Sequence, residues 1–370
     1  MCKDTLLKTS LHQQHVSLGA KMCAEAGWDM PLFYRGVLAE AGCIRRRAGV
    51  FDVSHTGRIR IRGDGALEML EKLCTADVAH QEDDTAIRTL LCNEAGGIID
   101  DCLLVRTENF WLLTASAVCR EKVFKHVETV AADFDLKFDD QTQRTSRIAV
   151  AGPAAEGILD AVLPAKPSAM PAGGVKVGSL MVARYIAMRT DYGGLWALEV
   201  IVPNMVAGQA WRFITERAGE NCIAPAGLGA RDVLRVEAGL HRYAHELNET
   251  IDPFTAGLEC AVDFEHDFIG RDALLEKKKK QPAKRLVGLV LTTLKGKPCE
   301  TNIPKLGSTA FQDGVDVGCV TSGTYSPTLE KTIAMAYVAP EAAETDTELL
   351  VEAGGERYPA RVVTVPFVRP

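Results

Sequence analysis

The sequence lacks several features that mark particular classes of protein. No uninterrupted apolar run reaches the roughly 18 residues that a transmembrane helix needs. The amino-terminal residues lack the basic-then-apolar layout of a signal peptide, so we expect a cytoplasmic protein with no membrane partner. Lysine and arginine (42 together) are outnumbered by aspartate and glutamate (49 together). Because binding to phosphates requires a basic surface, we also expect no nucleic-acid partner.

The cysteines lack the spacing of a metal site or a disulfide framework. Their number is 11, which is odd, and no two of them form a C-x-x-C pair. That pattern is typical of reduced thiols inside a cell. His241 and His245 are spaced as two ligands on one helix face would be, but no third ligand follows at a recognisable spacing. We therefore interpret both as ordinary polar residues and expect no metal. The sequence also lacks a phosphate loop and the dinucleotide fingerprint.

A length of 370 residues with 47% hydrophobic residues allows two or three domains, each with its own core. Helical periodicity, as in "GALEMLEKLCTAD" and "REKVFKHVETVAADF", alternates with short β-branched runs such as "GRIRIRG" and "LEVIVP". After the lysines at 277–280 the pattern changes to short strands with turn signals and no helix. These patterns predict helices and strands in the first part, a linker at residues 277–284, and an all-β carboxy-terminal domain.

The stretch "CNEAGGIIDD" places two acids at the start of a predicted strand. It follows the apolar run "AIRTLLC", and together the two stretches read as strand, turn, strand. Gly96 and Gly97 supply the positive φ angles that a tight turn requires. Since side chains alternate across a strand, Asp100 and Asp101 must point to opposite faces. Both have apolar neighbours, so periodicity does not choose between them. A carboxylate in such surroundings either caps a neighbouring turn or meets a cationic ligand.

This stretch and several others resemble the aminomethyltransferase, or T-protein, family of the glycine cleavage system. The others, in the family's order, are "HVSLGAKM", "AGWDMPLFY", "AGVFDVSHTG", "APAGLGARDVLRVEAGLHRYAHELNETIDP", "DFIGRDAL" and "VTSGTYSPTL". The resemblance covers nearly the whole chain. It implies a three-domain α+β fold around a central folate-binding cavity. The implied domains are residues 1–55 with 145–248, residues 56–144 with 249–280, and a barrel-like domain at 281–370.

The resemblance also implies a reaction and its partners. The family takes an aminomethyl group that hangs as a thioether on the lipoyl arm of a carrier, the H-protein. Tetrahydrofolate, as cosubstrate, accepts the methylene, and ammonia is released. Asp101 corresponds to the family's catalytic aspartate, and Asp100 is then the structural member of the pair. A preorganised carboxylate suits this role, because a methylene that passes from sulfur to nitrogen acquires positive charge, and it also orients the folate nitrogen.

Four positions carry over as candidate folate-binding residues. Glu199 matches a glutamate that accepts two parallel hydrogen bonds from the pterin; the alternative is a surface glutamate at a strand edge. Arg231 matches a folate-contacting arginine; the alternative is an ion pair with Asp232 or with an acid of another domain. Tyr192 is a candidate for stacking on the folate, or else a core residue. Ser116 stands where the family usually has asparagine.

The sequence departs from the family near the expected donor pocket. Residues 191–195 differ from the usual Gly-Tyr-Thr-Gly-Glu run, Thr56 replaces a common methionine, and Arg88 replaces a common aromatic residue. Folate binding is therefore better supported than the identity of the donor. Our first interpretation is an aminomethyltransferase, and the alternative is a tetrahydrofolate-dependent demethylase with a small methyl donor. A third, a folate-binding protein of iron–sulfur assembly, is disfavoured because that branch's Lys-Gly-Cys motif is absent.

Overall fold

A computed structural model describes residues 5–163, 166–180, 183–217, 223–292 and 302–369. The α-helices within these residues are α1 (His12–Ser17), α2 (Val37–Arg46), α3 (Ala66–Leu73), α4 (Arg120–Ala131), α5 (Ala155–Val162), α6 (Asn204–Arg217), α7 (Leu228–Glu237), α8 (Pro253–Ala256) and α9 (Arg271–Lys278). The strands are β1 (Lys21–Glu25), β2 (Trp28–Phe33), β3 (Gly49–Asp52), β4 (Gly57–Arg62), β5 (Thr85–Cys92), β6 (Ile98–Thr107), β7 (Phe110–Ala115), β8 (Lys137–Asp140), β9 (Thr145–Ala151), β10 (Val175–Leu180), β11 (Ala183–Asp191), β12 (Trp196–Pro203), β13 (Ala224–Pro225), β14 (Arg285–Leu291), β15 (Thr309–Gln312), β16 (Val315–Ser326), β17 (Lys331–Val338), β18 (Glu348–Ala353) and β19 (Glu356–Val363). Of the helices in this part of the chain, none is both long and apolar enough to cross a bilayer.

One six-stranded sheet gathers strands that are far apart in sequence. Its order is β10-β11-β12-β9-β3-β13, and its neighbours are antiparallel except for β3 and β13. Helices cover both faces of this sheet. Leu159 of α5 and Trp211 of α6 pack in the core on one face, while Ile44 of α2 and Leu234 of α7 pack in the core on the other. Both faces are apolar, because consecutive apolar residues such as Ala149 and Val150 of β9 point to opposite sides and enter the two different cores.

A second sheet has the order β5-β6-β7-β4-β8 and is antiparallel throughout. One face packs against α3 and α4, the two helices whose periodicity is plainest in the sequence. Leu70 and Leu73 of α3 meet Val123 and Val127 of α4 in a shared core with the sheet. The predicted helical stripes therefore are the buried faces of these helices.

The carboxy-terminal strands close into a barrel. Its order is β14-β17-β16-β15-β18-β19, and β19 pairs back to β14. The predicted α+β class with a barrel-like carboxy-terminal domain is confirmed, apart from a 3₁₀ turn at Pro340–Ala342 within the barrel segment. The predicted linker overlaps α9, which ends at Lys278. The residue boundaries of the domains stay a prediction.

The predicted hairpin forms as β5 and β6, but its two glycines have different roles. Gly96 has a φ of 72°, as expected for a tight turn, whereas Gly97 is not in the positive-φ region. Gly97 is required for space, because an added Cβ would lie 1.8 Å from the carbonyl oxygen of Glu249. Asn93 closes the turn: its Oδ1 accepts hydrogen bonds from the backbone N–H groups of Ala95 and Gly97 at 3.0 and 2.8 Å. The expectation of a positive φ at Gly97 is wrong.

Gly97→Ala is expected to lower the free energy of unfolding by about 2–3 kcal/mol, because the backbone at Glu249 must move to admit a methyl group. Gly157→Ala is a matched control. Gly157 lies inside α5, and an added Cβ there meets no atom within 4 Å. Alanine at that position should raise the stability by up to about 1 kcal/mol. Urea unfolding of the three proteins measures both effects, and equal midpoints for the two variants would contradict the steric argument.

Candidate functional site

Asp100 and Asp101 lie side by side on β6 and differ sharply in exposure. Asp100 is fully buried. The side chain of Asp101 is 20% exposed. The alternation of the strand separates the two acids, as predicted, and the fold decides which of them is exposed to solvent. That residue is Asp101.

Asp100 is an interior residue that anchors the chain after β7. Its Oδ2 accepts a hydrogen bond from the backbone N–H of Ser116 at 2.7 Å and lies 3.6 Å from the Sγ of Cys102. Its Oδ1 has no partner among the described residues. Burial raises the pKa of the Asp100 carboxyl to about 6. Ser116, a predicted folate-binding residue, is therefore held by Asp100 rather than by Asp101.

Asp101 forms a two-point ion pair with Arg88. The Nε of Arg88 donates to Oδ1 at 2.7 Å, and its Nη2 donates to Oδ2 at 2.5 Å. Arg88 lies on β5 opposite Leu103, so it is the diagonal neighbour of Asp101 on one face of the sheet. Burial alone would lower the pKa of Arg88, but the hydrogen bond and charge of Asp101 outweigh it and raise that pKa. The sequence marked Arg88 as a departure without indicating this contact.

The face of β6 that carries Asp101 is turned towards the six-stranded sheet. Val105 lies on the same face and clusters with Met188 of β11 and Ile201 of β12. Ile201 in turn shares its face of β12 with Glu199, because the two residues are one strand repeat apart. Asp101 and Glu199 therefore lie on the two sheet faces that meet at this cluster.

Glu199 is buried within its sheet and is paired with Arg147. β12 lies between β11 and β9, and Glu199 is 5% exposed, which excludes the alternative of a surface glutamate at a strand edge. The Nε of Arg147 donates to Oε2 at 2.5 Å, Nη2 contacts the same oxygen, and Nη1 lies 3.3 Å from the Oγ1 of Thr56. Both contacts of Arg147 with this carboxylate are thus made at Oε2. Sequence reasoning did not single out Arg147.

Arg231 contacts Tyr192 rather than Asp232. Its Nε donates to the Tyr192 hydroxyl, and its guanidinium carbon lies 5.2 Å from the centre of the ring. Asp232 pairs with Arg235 at 2.9 Å, so the alternative of an Arg231–Asp232 pair is wrong. The ring of Tyr192 stacks on Phe51 with centroids 5.5 Å apart, and burial raises the pKa of Tyr192 to about 12. Tyr192 is thus a core residue whose polar tip holds Arg231.

His55 is a buried residue near Arg231 that sequence reasoning missed. It is 2% exposed, and its Nδ1 has no hydrogen-bond partner within the described residues. Burial, assisted by the charge of Arg231, lowers the pKa of His55 to about 3, so the imidazole is neutral. His55 ends the stretch "FDVSH", and nothing in that pattern distinguishes it from a core histidine.

His241 and His245 are bonded to different parts of the chain. His241 Nε2 lies 2.8 Å from the carbonyl oxygen of Ala256, and His245 Nδ1 lies 3.0 Å from that of Thr321. The segment between them forms turns rather than the helix that a two-ligand spacing requires. In the described ranges no group of three or more His, Cys, Asp or Glu side chains is arranged to hold a metal ion.

Comparisons with known proteins match this chain from end to end. A family model for the GCVT N-terminal domain matches residues 11–266, and a model for the glycine cleavage T-protein C-terminal barrel domain matches residues 284–369. The chain is 37% identical to the aminomethyltransferase of Geobacillus kaustophilus, with 98% of this chain and 99% of the relative covered. It is also 37% identical to the aminomethyltransferase of Rubrobacter xylanophilus, with 100% and 96% covered. The crystal structure of glycine cleavage system aminomethyltransferase T from Bartonella henselae aligns with a TM-score of 0.90 at 30% identity, covering 98% of each chain.

Proposed function

The chain belongs to the T-protein family and is an aminomethyltransferase of the glycine cleavage system, and from this we propose that a lipoylated H-protein is its donor and tetrahydrofolate its acceptor. The observation that carries the site assignment is the meeting of two sheet faces at the cluster of Val105, Met188 and Ile201. One face bears Asp101 and the other bears Glu199. The alternative of a demethylase with a small donor is not favoured, because the full-length relatives are aminomethyltransferases.

Asp101 is the proposed catalytic residue. A methylene that leaves sulfur for nitrogen acquires positive charge, and a carboxylate fixed in place beforehand stabilises that charge without reorganising. Arg88 occupies one acceptor position on each oxygen of Asp101. A carboxylate has about four acceptor positions, so each oxygen retains one for an N–H group of the substrate. Asp100 is fully buried and has no such access.

Glu199, Arg231, Tyr192 and His55 form the proposed pterin site. The residues fit a reduced pterin, because the described contacts of Glu199 with Arg147 use only Oε2, His55 Nδ1 lacks a hydrogen-bond partner among the described residues, and Arg231 keeps a planar guanidinium beside an aromatic ring. A carboxylate accepts hydrogen bonds from a ring N–H and an amino group, while a guanidinium donates to a carbonyl or carboxylate. Ser116 remains a proposed folate contact through its side chain, because its backbone N–H already donates a hydrogen bond to Asp100.

The sequence has two basic runs, Arg45–Arg47 and Lys277–Lys280, and we propose the lysine run for contact with an acidic carrier. Arg45 is tied to Glu237 at 2.8 Å and to the carbonyl oxygen of Gly193 at 2.9 Å. Lys278, Lys279 and Lys280 are exposed. Exposed charges at the rim of an interface steer association of complementary surfaces. A cytoplasmic location belongs to the same proposal and is supported by the described cysteines being free thiols.

The proposed function is tested by supplying both substrates. Purified protein with aminomethylated H-protein and tetrahydrofolate is expected to release ammonia, and omission of either substrate should abolish the release. Methyl transfer from a small sulfonium or amine, with no ammonia from any lipoylated carrier, would support the demethylase. Folate binding without turnover on either class of donor would reduce the protein to a folate-binding module.

Glu199→Gln is expected to raise the Kd for tetrahydrofolate about 10-fold, since it removes a charge-assisted pair of hydrogen bonds. Titration of the protein with the folate measures this change. Glu276→Gln is the matched control, because Glu276 lies on α9 in an exposed pair with Lys279 and should leave the Kd unchanged. An unaltered Kd for a folded Glu199→Gln protein would remove Glu199 from the pterin site.

A further inference from the structure

The Arg88–Asp101 pair is isolated from other hydrogen bonds. Among the described residues, each side chain bonds only to the other. The backbone of β5 already holds Arg88 in the sheet through its pairing with β6. The Arg88 guanidinium therefore contacts one side chain, that of Asp101, which is the proposed catalytic residue.

We propose that Arg88 is a positioning residue for this reaction: its two-point contact fixes the orientation of the Asp101 carboxylate that faces the substrates. The proposal rests on the proposed catalytic role of Asp101. A planar guanidinium matches a carboxylate at two points, which sets the rotation of the carboxylate as well as its place. Without Arg88, a side chain with 20% exposure and no other partner in the described chain would be free to rotate.

The energetics argue against a purely structural role for the pair. The Arg88 side chain is 40% exposed, and ion pairs with that much solvent contact contribute only about 0–1 kcal/mol to stability. The loss of Arg88 should therefore leave the fold intact. A misplaced catalytic group, in contrast, can cost about 10²-fold in rate for a displacement near 1 Å. Positioning is the larger of the two effects.

Among the described residues, Arg88 is the one cation that forms a salt bridge with Asp101. The further titratable groups among the described residues that interact electrostatically with the pair are His241 and Cys260, from the segment packed beside the hairpin, and Asp100 and Cys102 on β6. Burial lowers the pKa of His241, and the charge of Arg88 lowers it further, so this ring stays neutral at physiological pH. Orientation of the carboxylate thus depends on Arg88.

The test is the turnover of Arg88→Ala with and without added guanidinium ion. We expect kcat to fall about 10-fold with the KM for tetrahydrofolate changed by less than about twofold, because the orientation of Asp101 rather than binding is lost. Guanidinium chloride, kept below concentrations that unfold the protein, should restore kcat at least about threefold by refilling the vacated space. Tetramethylammonium chloride at equal strength has the charge but no donors and should restore nothing. Arg88→Lys, a point charge without the fork, should recover only part of the rate.

Arg106→Ala is the matched control. Arg106 pairs with Asp83 at 2.8 Å on the same sheet, away from Asp101, so its removal should leave kcat and the response to guanidinium unchanged. In an Asp101→Asn background, Arg88→Ala should cause no further loss, since the two residues act as one unit. Undiminished turnover of Arg88→Ala, or equal rescue by both salts, would overturn the positioning role. Full turnover of Asp101→Asn alone would instead overturn the proposed catalytic role of Asp101, on which the positioning role rests.

Discussion

Asp101→Asn is expected to lower kcat about 10²–10³-fold, the loss seen when one preorganised electrostatic group is removed from an active site. The amide keeps the shape of the side chain but carries no charge to stabilise a positively charged methylene. It also presents an NH₂ group to a nitrogen of Arg88, which breaks one of the two contacts at 2.5–2.7 Å. Affinity for tetrahydrofolate should change by less than about threefold, because the pterin contacts are assigned to the other sheet.

The neighbouring acid provides the control for that experiment. Asp100→Asn makes the same substitution one residue away, at a carboxyl that is fully buried and whose pKa is raised to about 6 by that burial. Its kcat should stay within about threefold of the parent protein. Ammonia release at saturating substrates and folate titrations on both variants give the comparison. If Asp100→Asn is the inactive variant, the roles assigned to the two acids are reversed.

Local rules predict much of the fold around these acids. The turn residues and the β-branched runs give the hairpin and its two strands, and alternation gives the opposite orientations of Asp100 and Asp101. Which acid is exposed follows from which face of β6 meets α3 and α4. That packing joins segments that are distant in sequence, for example Leu104 and Leu70. Propensity and periodicity contain no information about it.

The partner of Arg88 shows why register is harder to predict than strands. In the hairpin, Cys92 pairs with Ile98, but a bulge follows and Leu91 pairs with Asp100. Counting from the turn without the bulge would place Arg88 on the face of Asp100. The extra residue moves Arg88 to the face of Asp101, because a shift of one residue exchanges the faces of a strand. The bulge leaves no mark in the sequence.

The folate-site candidates were predicted from the family resemblance, and the structure adds two residues that the resemblance did not indicate. Glu199, Arg231 and Tyr192 came from motif matches, whereas Arg147 and His55 became visible only through their contacts. Arg147 is 52 residues from Glu199, and only the pairing of β9 with β12 brings them together. A charged residue in a β-branched run such as "RIAVAG" is the signal that could have raised the question of a buried partner.

The second large effect is expected at Asp52, which has no part in the proposed chemistry. Asp52 ends β3 in a fully buried cluster. Its Oδ2 accepts from the Thr9 hydroxyl at 2.7 Å and lies 2.9 Å from His15 Nε2, while its Oδ1 accepts from the backbone N–H of Ser54 at 2.9 Å. The other nitrogen of His15 lies 2.8 Å from the Tyr34 hydroxyl. This cluster ties the amino-terminal segment to the six-stranded sheet.

Asp52→Asn is expected to lower the free energy of unfolding by about 3–5 kcal/mol, because one side of the amide presents donors to donors at a buried site. Asp83→Asn is the control: Asp83 pairs with Arg106 but is 54% exposed, so its change should stay within about 0.5 kcal/mol. Urea unfolding followed by tryptophan fluorescence reports on this core, since the ring of Trp211 lies 5.2 Å from that of His15. Equal midpoints for the two variants would show that the cluster contributes no stability.

The difference in unfolding free energy between the parent protein and Asp52→Asn is expected to depend on pH with a definite sign. Burial by itself would raise the pKa of Asp52, but the hydrogen bond and charge of His15, with the hydrogen bonds from Ser54 and Thr9, outweigh burial and hold the pKa below its ordinary value. A carboxyl with a depressed pKa in the folded state stabilises the protein above its unfolded pKa of about 4, and this contribution is lost as the pH falls through the folded value. The stability gap between the parent and Asp52→Asn should therefore be full at neutral pH and shrink as the pH is lowered below about 4. A gap that stays constant or widens on acidification would mean that the Asp52 charge does not stabilise the fold.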